Sequence, residues 1–277
     1  MLTESWENQS KLYSSAFHAL SEGYANNLDV PSTLIPLMME LYSAAGVNDP
    51  FKILKQKSIN AAMRALPFIE RSINCFSGYE KFRASISAAI AGNIIDYAHA
   101  GNTPDLSRLK DTFESVQREG FAIDNSKKLW HHLKSFTGEV VILGDNAGET
   151  VFDIPLVRII KELGWTVTYV VKELPSVNDA TRKDVLGTGI EHLATISSTG
   201  ARAYGTPKRF VDQQFLDLVK ECNLIISKGQ GNLETFPEIQ KDFKKETYYL
   251  LRAKCSHIAS ILGCEKNNNV VLRQEYN

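Results

Sequence analysis

Four turns in the second half of this 277-residue chain carry side chains suited to a metal ion or a phosphate. Gly144-Asp145-Asn146-Ala147-Gly148-Glu149 follows the apolar run EVVIL (139–143), and PSVNDAT (175–181) comes a short turn after TVTYVV (166–171). Lys228-Gly229-Gln230-Gly231-Asn232 follows LIIS (224–227), and Arg252-Ala253-Lys254 follows YYLL (248–251). Asp145, Asn146 and Asp179 offer two carboxylates and an amide carbonyl. These hard oxygen donors suit Mg2+ or Mn2+ once waters and a substrate oxygen complete an octahedron. Zinc favours His or Cys, and these turns hold neither at the candidate positions. In Lys228–Asn232 the glycines let backbone N–H groups approach an anion, and a following helix N-terminus adds its dipole. Each turn also has a plain structural reading. Asp145 and Asn146 fit an Asx-turn and helix N-cap, Asp179 fits the cap of the next helix, and Lys228–Asn232 fits a tight turn. Convergence of all four on one edge is what makes a site hypothesis.

Other chemistries lack their residues. There is no GxxxxGK[ST] for a Walker A loop and no GxGxxG for a nicotinamide cofactor. The haloacid dehalogenase phosphatases carry DxD after their first strand, and here the position two after Asp145 is Ala147, which removes the proton donor. Cys75, Cys222, Cys255 and Cys264 show no CxxC spacing, so zinc-ribbon and thioredoxin-like readings fall and free, mostly buried thiols are expected. His131 and His132 are adjacent and diverge by about 100° on a helix. His18, His99, His192 and His257 have no partner at a useful spacing.

The elements that must position these turns divide the chain. Helical patterns cover 8–22 (Leu12, Ala16 and Leu20 on one face), a helix opened by Pro31 and stopped by Gly46, a helix begun by Asp49-Pro50, and the stretches 79–99 and 105–119. No strand-like run appears before about residue 138. From Gly138 onward, the runs at 139–143, 166–171, 193–197, 224–227 and 248–251 alternate with amphipathic stretches such as 150–163, 209–221 and 253–262. That alternation implies βαβ units and a mostly parallel sheet covered on both faces, with ligands bound beyond the C-terminal strand ends. The expected fold is α/β: an all-helical domain over residues 1–136, then a Rossmann-like three-layer α/β/α domain over 137–277.

A hydrophobic share of 43%, a charged share of 23% and a net charge of −1 are those of an ordinary globular protein. They give no electrostatic case for nucleic acid or an anionic membrane as partner. The N-terminus lacks an apolar signal region and no apolar run approaches a membrane span, so the expected location is cytoplasmic.

GDNAGETVFD (144–153), PSVNDAT (175–181), SKGQGNLE (227–234) and LLRAKCSHIASILG (250–263) resemble the damage-control phosphatase family, formerly a numbered domain of unknown function. Its fold is named for the acidic-residue methyltransferase-like proteins. DPFKILKQKSINAA (49–62) and AGNIIDYA (91–98) resemble its helical-domain signatures, and the likeness is to the prokaryotic-type branch. The CxxC pair that often opens related sequences is missing here. The resemblance implies hydrolysis of phosphomonoesters of small, harmful or surplus metabolites with Mn2+, Mg2+, Co2+ or Ni2+. It places the metal ligands on Asp145, Asn146 and Asp179, and substrate contacts on Lys228, Gly229, Gln230, Gly231, Asn232 and Lys254. Asn93 and Asp96, in the helical signature, would reach the cleft. Asp145, Lys228 and Glu149 are the catalytic candidates: Lys228 as a phosphate clamp, Glu149 orienting water or a substrate hydroxyl, Asp145 as ligand, base or nucleophile. Two other readings stand beside it. An S-adenosylmethionine-dependent carboxyl methyltransferase would want a glycine-rich GxGxG turn after the first strand, where an acidic loop stands instead. A non-catalytic metal- or metabolite-binding protein would have no need of metal-poised carboxylates.

Overall fold

Local capping chemistry sets the helices of the first half. The computed structural model describes residues 5–94 and 106–275. α1 (Trp6–Ala25) and α2 (Val30–Ala44) form a hairpin, followed by α3 (Lys52–Ile73), α4 (Gly78–Ile94) and α5 (Leu106–Glu119). Asp29 caps α2 by accepting from the Ser32 N–H at 2.7 Å, and Pro31 sits in the first turn, where its missing N–H costs nothing. Gly46, at φ +65°, closes the turn after α2. α3 starts later than Asp49-Pro50 suggests. Asp49 accepts from the Phe51 N–H at 3.1 Å in a local turn, and its other oxygen pairs with Lys55 at 2.7 Å, which holds the chain out of the helix until Lys52. The parts of the expected helices at 95–99 and 105 lie outside the described residues.

The remaining elements are β1 (Ile123–Asp124), α6 (Ser126–Ser135), β2 (Glu139–Leu143), α7 (Glu149–Glu162), β3 (Thr166–Val171), α8 (Arg182–Val185), β4 (Thr195–Ser198), α9 (Gln213–Glu221), β5 (Leu224–Lys228), α10 (Gly229–Thr235), α11 (Pro237–Phe243), β6 (Thr247–Arg252), α12 (Ser256–Leu262) and β7 (Asn269–Gln274). The seven strands lie in the order β1-β7-β6-β5-β2-β3-β4, with every pair parallel except β6–β7. The fold is thus α/β, with the helical half followed by a mostly parallel sheet between helical layers. Three elements escaped the sequence. β1 lies before residue 138 and is too short to show an alternation; pairing with β7 makes it a strand. β7 reads only as a brief apolar run near the C-terminus, and α6 buries just Leu129, Leu133 and Ser126. α9 starts at Gln213 rather than 209, because Asp212 caps it through the Phe215 N–H at 2.8 Å. Of the free cysteines only Cys222 is buried; Cys75 is exposed and Cys255 and Cys264 are intermediate, against the expectation of mostly buried thiols.

Alternation along the strands splits the core. Val140 and Ile142 of β2, Tyr169 of β3, Ile226 of β5 and Leu250 of β6 face a cluster shared with α3, α4, α5, α6 and α7. Val141, Leu143, Val170, Ile225 and Leu251 face α9, α11 and α12 on the other side. α3 to α6 therefore pack against the sheet and α7 through one continuous apolar cluster, while α2 meets the chain beyond β4 through a separate small one of Ile35, Ala201 and Ala203. Among the described residues no helix is long and apolar enough to cross a membrane.

Candidate functional site

β2 is the strand from which the chain departs in two directions. It runs by α7 to β3 on one side, while β5, reached only after β4 and α9, pairs with β2 on the other. At such a switch point the loops beyond neighbouring strand ends diverge and leave a crevice. The turn bearing Asp145 and the turn bearing Lys228 meet there.

Backbone hydrogen bonds bring the 145–149 turn onto the 176–181 turn. Ala147 N–H donates to the Asn178 carbonyl and Ala180 N–H to the Asp145 carbonyl, both at 2.9 Å, and Asn146 and Asp179 form the antiparallel bridge between them. The three proposed metal ligands, up to 34 positions apart in sequence, thus share one small patch. The plain capping readings fail. α7 is N-capped by Gly148 with no side-chain bond, and α8 is capped by a capping box between Thr181 and Asp184 rather than by Asp179. The Asn146 amide nitrogen reaches Asp145 Oδ2 at 3.4 Å and makes a short contact with Glu149 Oε1. The tight-turn reading of 228–232 also changes: Gly229–Asn232 form the first turn of α10, with Lys228 at the N-cap. Gly229, at φ +78°, lies so close to Asp145 that a Cβ there would sit 1.9 Å from Asp145 Oδ2. Only glycine meets both demands.

Charges crowd this patch. Burial, then repulsion from Asp179, pushes the Asp145 carboxyl up to about 6, against the pull of Lys254, Lys172 and Lys228. Burial and the nearby Asp145 push Glu149 up to about 8, with Lys228 and Lys254 opposing. Lys228 is fully buried. Desolvation alone would lower its pKa, but Asp153 at 2.6 Å and Glu149 at 3.4 Å outweigh it, and the ammonium is held above its usual range. Asp153 also accepts from the Tyr169 hydroxyl at 2.6 Å. Lys172, equally buried, lies 3.7 Å from Asp179 and donates to the Gly205 carbonyl at 2.6 Å. The acids raised in pKa mark a place where added positive charge is favoured. Among the described residues no three His, Cys, Asp or Glu side chains form a ready metal cage. The two carboxylates and the amide of Asp145, Asp179 and Asn146 are hard oxygen donors, the type that Mg2+ and Mn2+ favour.

The other singled-out residues fall variously. Lys228 points into the protein toward α7, so the open phosphate clamp expected of it is not where its ammonium lies; Arg252 and Lys254, at and just beyond the end of β6, are partly exposed. Gln230 donates to Glu234 at 2.9 Å and to Cys255 Sγ at 3.4 Å. Asn232 is buried and its amide nitrogen ties Gly144 O (3.1 Å) to Lys228 O (2.7 Å), joining the ends of β2 and β5; its Oδ1 has no hydrogen-bond partner among the described residues. Asn93 belongs to the last turn of α4, but its side chain, like Asp96 altogether, lies outside the described residues. The helical half does reach the site. Gly148 packs on Ser58 of α3 and Gly92 of α4 on Glu149, and a small crevice there is lined by Lys55, Ser58, Gly92, Asn146, Glu149 and Asn178. Asp153 and Lys172 were not singled out from sequence. The signal was present: Asp153 lies four residues after Glu149, on the same face of the helix and between the apolar residues Phe152 and Ile154, and Lys172 directly follows a largely apolar strand.

The family model of the damage-control phosphatase ARMT1-like domain matches residues 2–270. A damage-control phosphatase of Pyrococcus horikoshii is 33% identical over 241 residues, covering 87% of this chain and 80% of that protein. An uncharacterized protein of Methanocaldococcus jannaschii is 30% identical over 275 residues, covering 99% and 89%. The crystal structure of a DUF89 family protein from Pyrococcus horikoshii superposes with a TM-score of 0.85 at 31% identity, covering 99% of this chain and 92% of that one. With a family model spanning nearly its whole length and a relative this similar in fold, the chain belongs to the damage-control phosphatase ARMT1-like family.

Proposed function

We propose that this chain is a divalent-metal-dependent phosphatase of small phosphorylated metabolites, acting at the ends of β2, β3, β5 and β6. The observation that carries this reading is the meeting of Asp145, Asn146 and Asp179 through the 147–178 and 180–145 backbone bonds, with neither carboxylate used as a helix cap. These three residues would hold Mn2+, Mg2+, Co2+ or Ni2+. Bound there, such an ion would neutralise charge developing on a phosphoryl oxygen. Phosphoryl transfer asks a protein mainly for positioning and charge stabilisation, and the chain's own groups supply both. Lys254 and the N–H groups opening α10 hold the remaining phosphoryl oxygens. Lys228 acts from beneath: its ammonium fixes Glu149 and Asp153 and offsets the negative charge of the patch. Glu149, held also by the Asn146 amide, orients the attacking water or a substrate hydroxyl. The α3–α4 wall at Ser58 and Gly92 lies beside the substrate and would set selectivity among sugar phosphates, nucleotides and related compounds.

The test is phosphate release from a panel of phosphometabolites with each of the four ions in parallel, beside an assay for methyl transfer from S-adenosylmethionine. Release with at least one ion, abolished by chelation and reduced at least about a hundredfold in Asp179→Ala with the fold intact, is expected. No release with any ion, or methyl transfer instead, would overturn the proposal. Asp145→Asn separates roles: loss of turnover with ion binding intact assigns the carboxylate chemistry beyond ligation.

A further inference from the structure

α1 buries little of itself. Among the described residues it packs chiefly on α2, and Trp6 (77% exposed), Tyr13 (60%), Phe17 (72%) and Tyr24 (91%) stand in solvent, with Leu20 beside them at 43%. At 100° per residue these side chains fall within an arc of about 60° that runs the full helix, some 27 Å from Trp6 to Tyr24. The charged residues Glu7, Lys11 and Glu22 lie away from that arc, so the stripe is apolar throughout. Single exposed apolar residues are ordinary; a continuous aromatic stripe marks an interaction surface.

We infer that α1 is the self-association surface of this protein and pairs antiparallel with α1 of a second copy across a two-fold axis. The pattern is self-complementary about the level of Ser15. Reversing the helix there sets Trp6 against the second copy's Tyr24, and Tyr13 against the second copy's Phe17, which is what an isologous interface requires. The area suffices. At about 200 Å2 for each aromatic side chain, the exposed fractions leave roughly 600 Å2 of aromatic surface per copy. Two copies reach roughly 1,200 Å2 before Leu20 and the rim are added, the lower bound for stable complexes. A membrane is the less favoured occupant, because interfacial helices carry a basic polar face and α1 has Lys11 alone against Glu7 and Glu22. The inference is independent of the proposed phosphatase activity, since α1 contributes no residue to the site.

Sedimentation velocity of the full chain from about 1 to 100 μM tests it, where an interface of this size is expected to hold. The wild type is expected at twice the monomer mass. Tyr13→Lys and Phe17→Glu each weaken association at least about thirtyfold while keeping the helical circular dichroism, since both side chains point outward. The double variant Y13K/F17E sets opposite charges across the axis and regains the dimer. Should either charge variant unfold, Tyr24→Ser replaces it and must weaken the dimer likewise. A wild-type monomer throughout, a dimer untouched by the single variants, a double variant as weak as the singles, or wild-type monomer captured by anionic phosphatidylserine vesicles would each overturn the inference.

Discussion

Replacing Gly229 by alanine moves the Asp145 carboxylate without removing any donor, which makes it a sharp test of the site. A Cβ at 229 would lie 1.9 Å from Asp145 Oδ2 and 2.3 Å from its Cγ, where real contacts stay beyond 3.0 Å. The carboxylate must therefore retreat by about 1 Å, a displacement that costs on the order of a hundredfold where geometry controls the rate. The backbone adds its own cost: at φ +78° an L-residue is disfavoured by about 1–2 kcal/mol. The expected result for Gly229→Ala is a hundredfold or so fall in kcat/KM for phosphate release and weaker ion binding by calorimetry, with only about 1–2 kcal/mol lost in urea unfolding. Gly231→Ala is the stability control, because its Cβ would lie 3.5 Å from its nearest neighbour and its φ is not positive. If Gly229→Ala keeps kcat/KM within about threefold of the wild type, the position of Asp145 does not govern the reaction, and the assignment of that carboxylate fails.

Further outcomes follow from the buried charges. Lys228→Met leaves the buried Glu149 and Asp153 without their ammonium and should cost about 3–5 kcal/mol in urea unfolding; a loss under about 1 kcal/mol would show that this contact does not hold the fold together. Asp184 accepts from the Thr181 N–H and hydroxyl and from Lys55, tying α8 to α3. Its replacement by alanine should destabilise by about 2–4 kcal/mol, and an unchanged melting curve would count against that clamp. Burial alone would raise the Glu246 carboxyl, but hydrogen bonds from His132 and Arg273 prevail and hold it at about 2. A depressed acid stabilises the fold above its unfolded value near 4.5 and loses that contribution as pH falls toward 2. Glu246→Gln should thus be less stable than the wild type at pH 7, by about 1 kcal/mol after solvent screening, and indistinguishable near pH 2; a gap that widens on acidification contradicts the assignment.

The resemblance named the metal trio, and the turns that carry it were legible for a local reason. Strands buried on both faces must be apolar, so EVVIL, TVTYVV and LIIS stand out, and the polar residues that end them stand out by contrast. Asp145, Asn146, Asp179 and Lys228 were all marked this way. What Lys228 does was not. From sequence it looked like a clamp open to substrate; in the fold its ammonium lies under α7, because the Glu149–Asp153 face of that helix packs directly over the end of β5. The buried partners Asp153 and Lys172 do not stand out in the sequence, since a charge inside an apolar run reads as an interruption until its counter-charge is located. β1 and β7 were unreadable for a related reason: β1 has two residues and becomes a strand only by pairing with β7, while β7 shows just Val270, Val271 and Leu272 between polar neighbours and takes its place by pairing with β1 and β6.

Residue type and spacing by themselves determined the alternation of helices and strands from β2 to β6, the polar turns at their ends, and the hard-oxygen character of the side chains those turns carry. These follow from short-range rules of periodicity, capping and ligand hardness. Tertiary structure alone decided that β5 returns to pair with β2, that Gly229 touches Asp145, and that three lysines gather around the acids. Those are contacts across many tens of residues, set by which apolar faces pack together, and charge placed within a low-dielectric interior acquires its meaning only from neighbours that packing supplies.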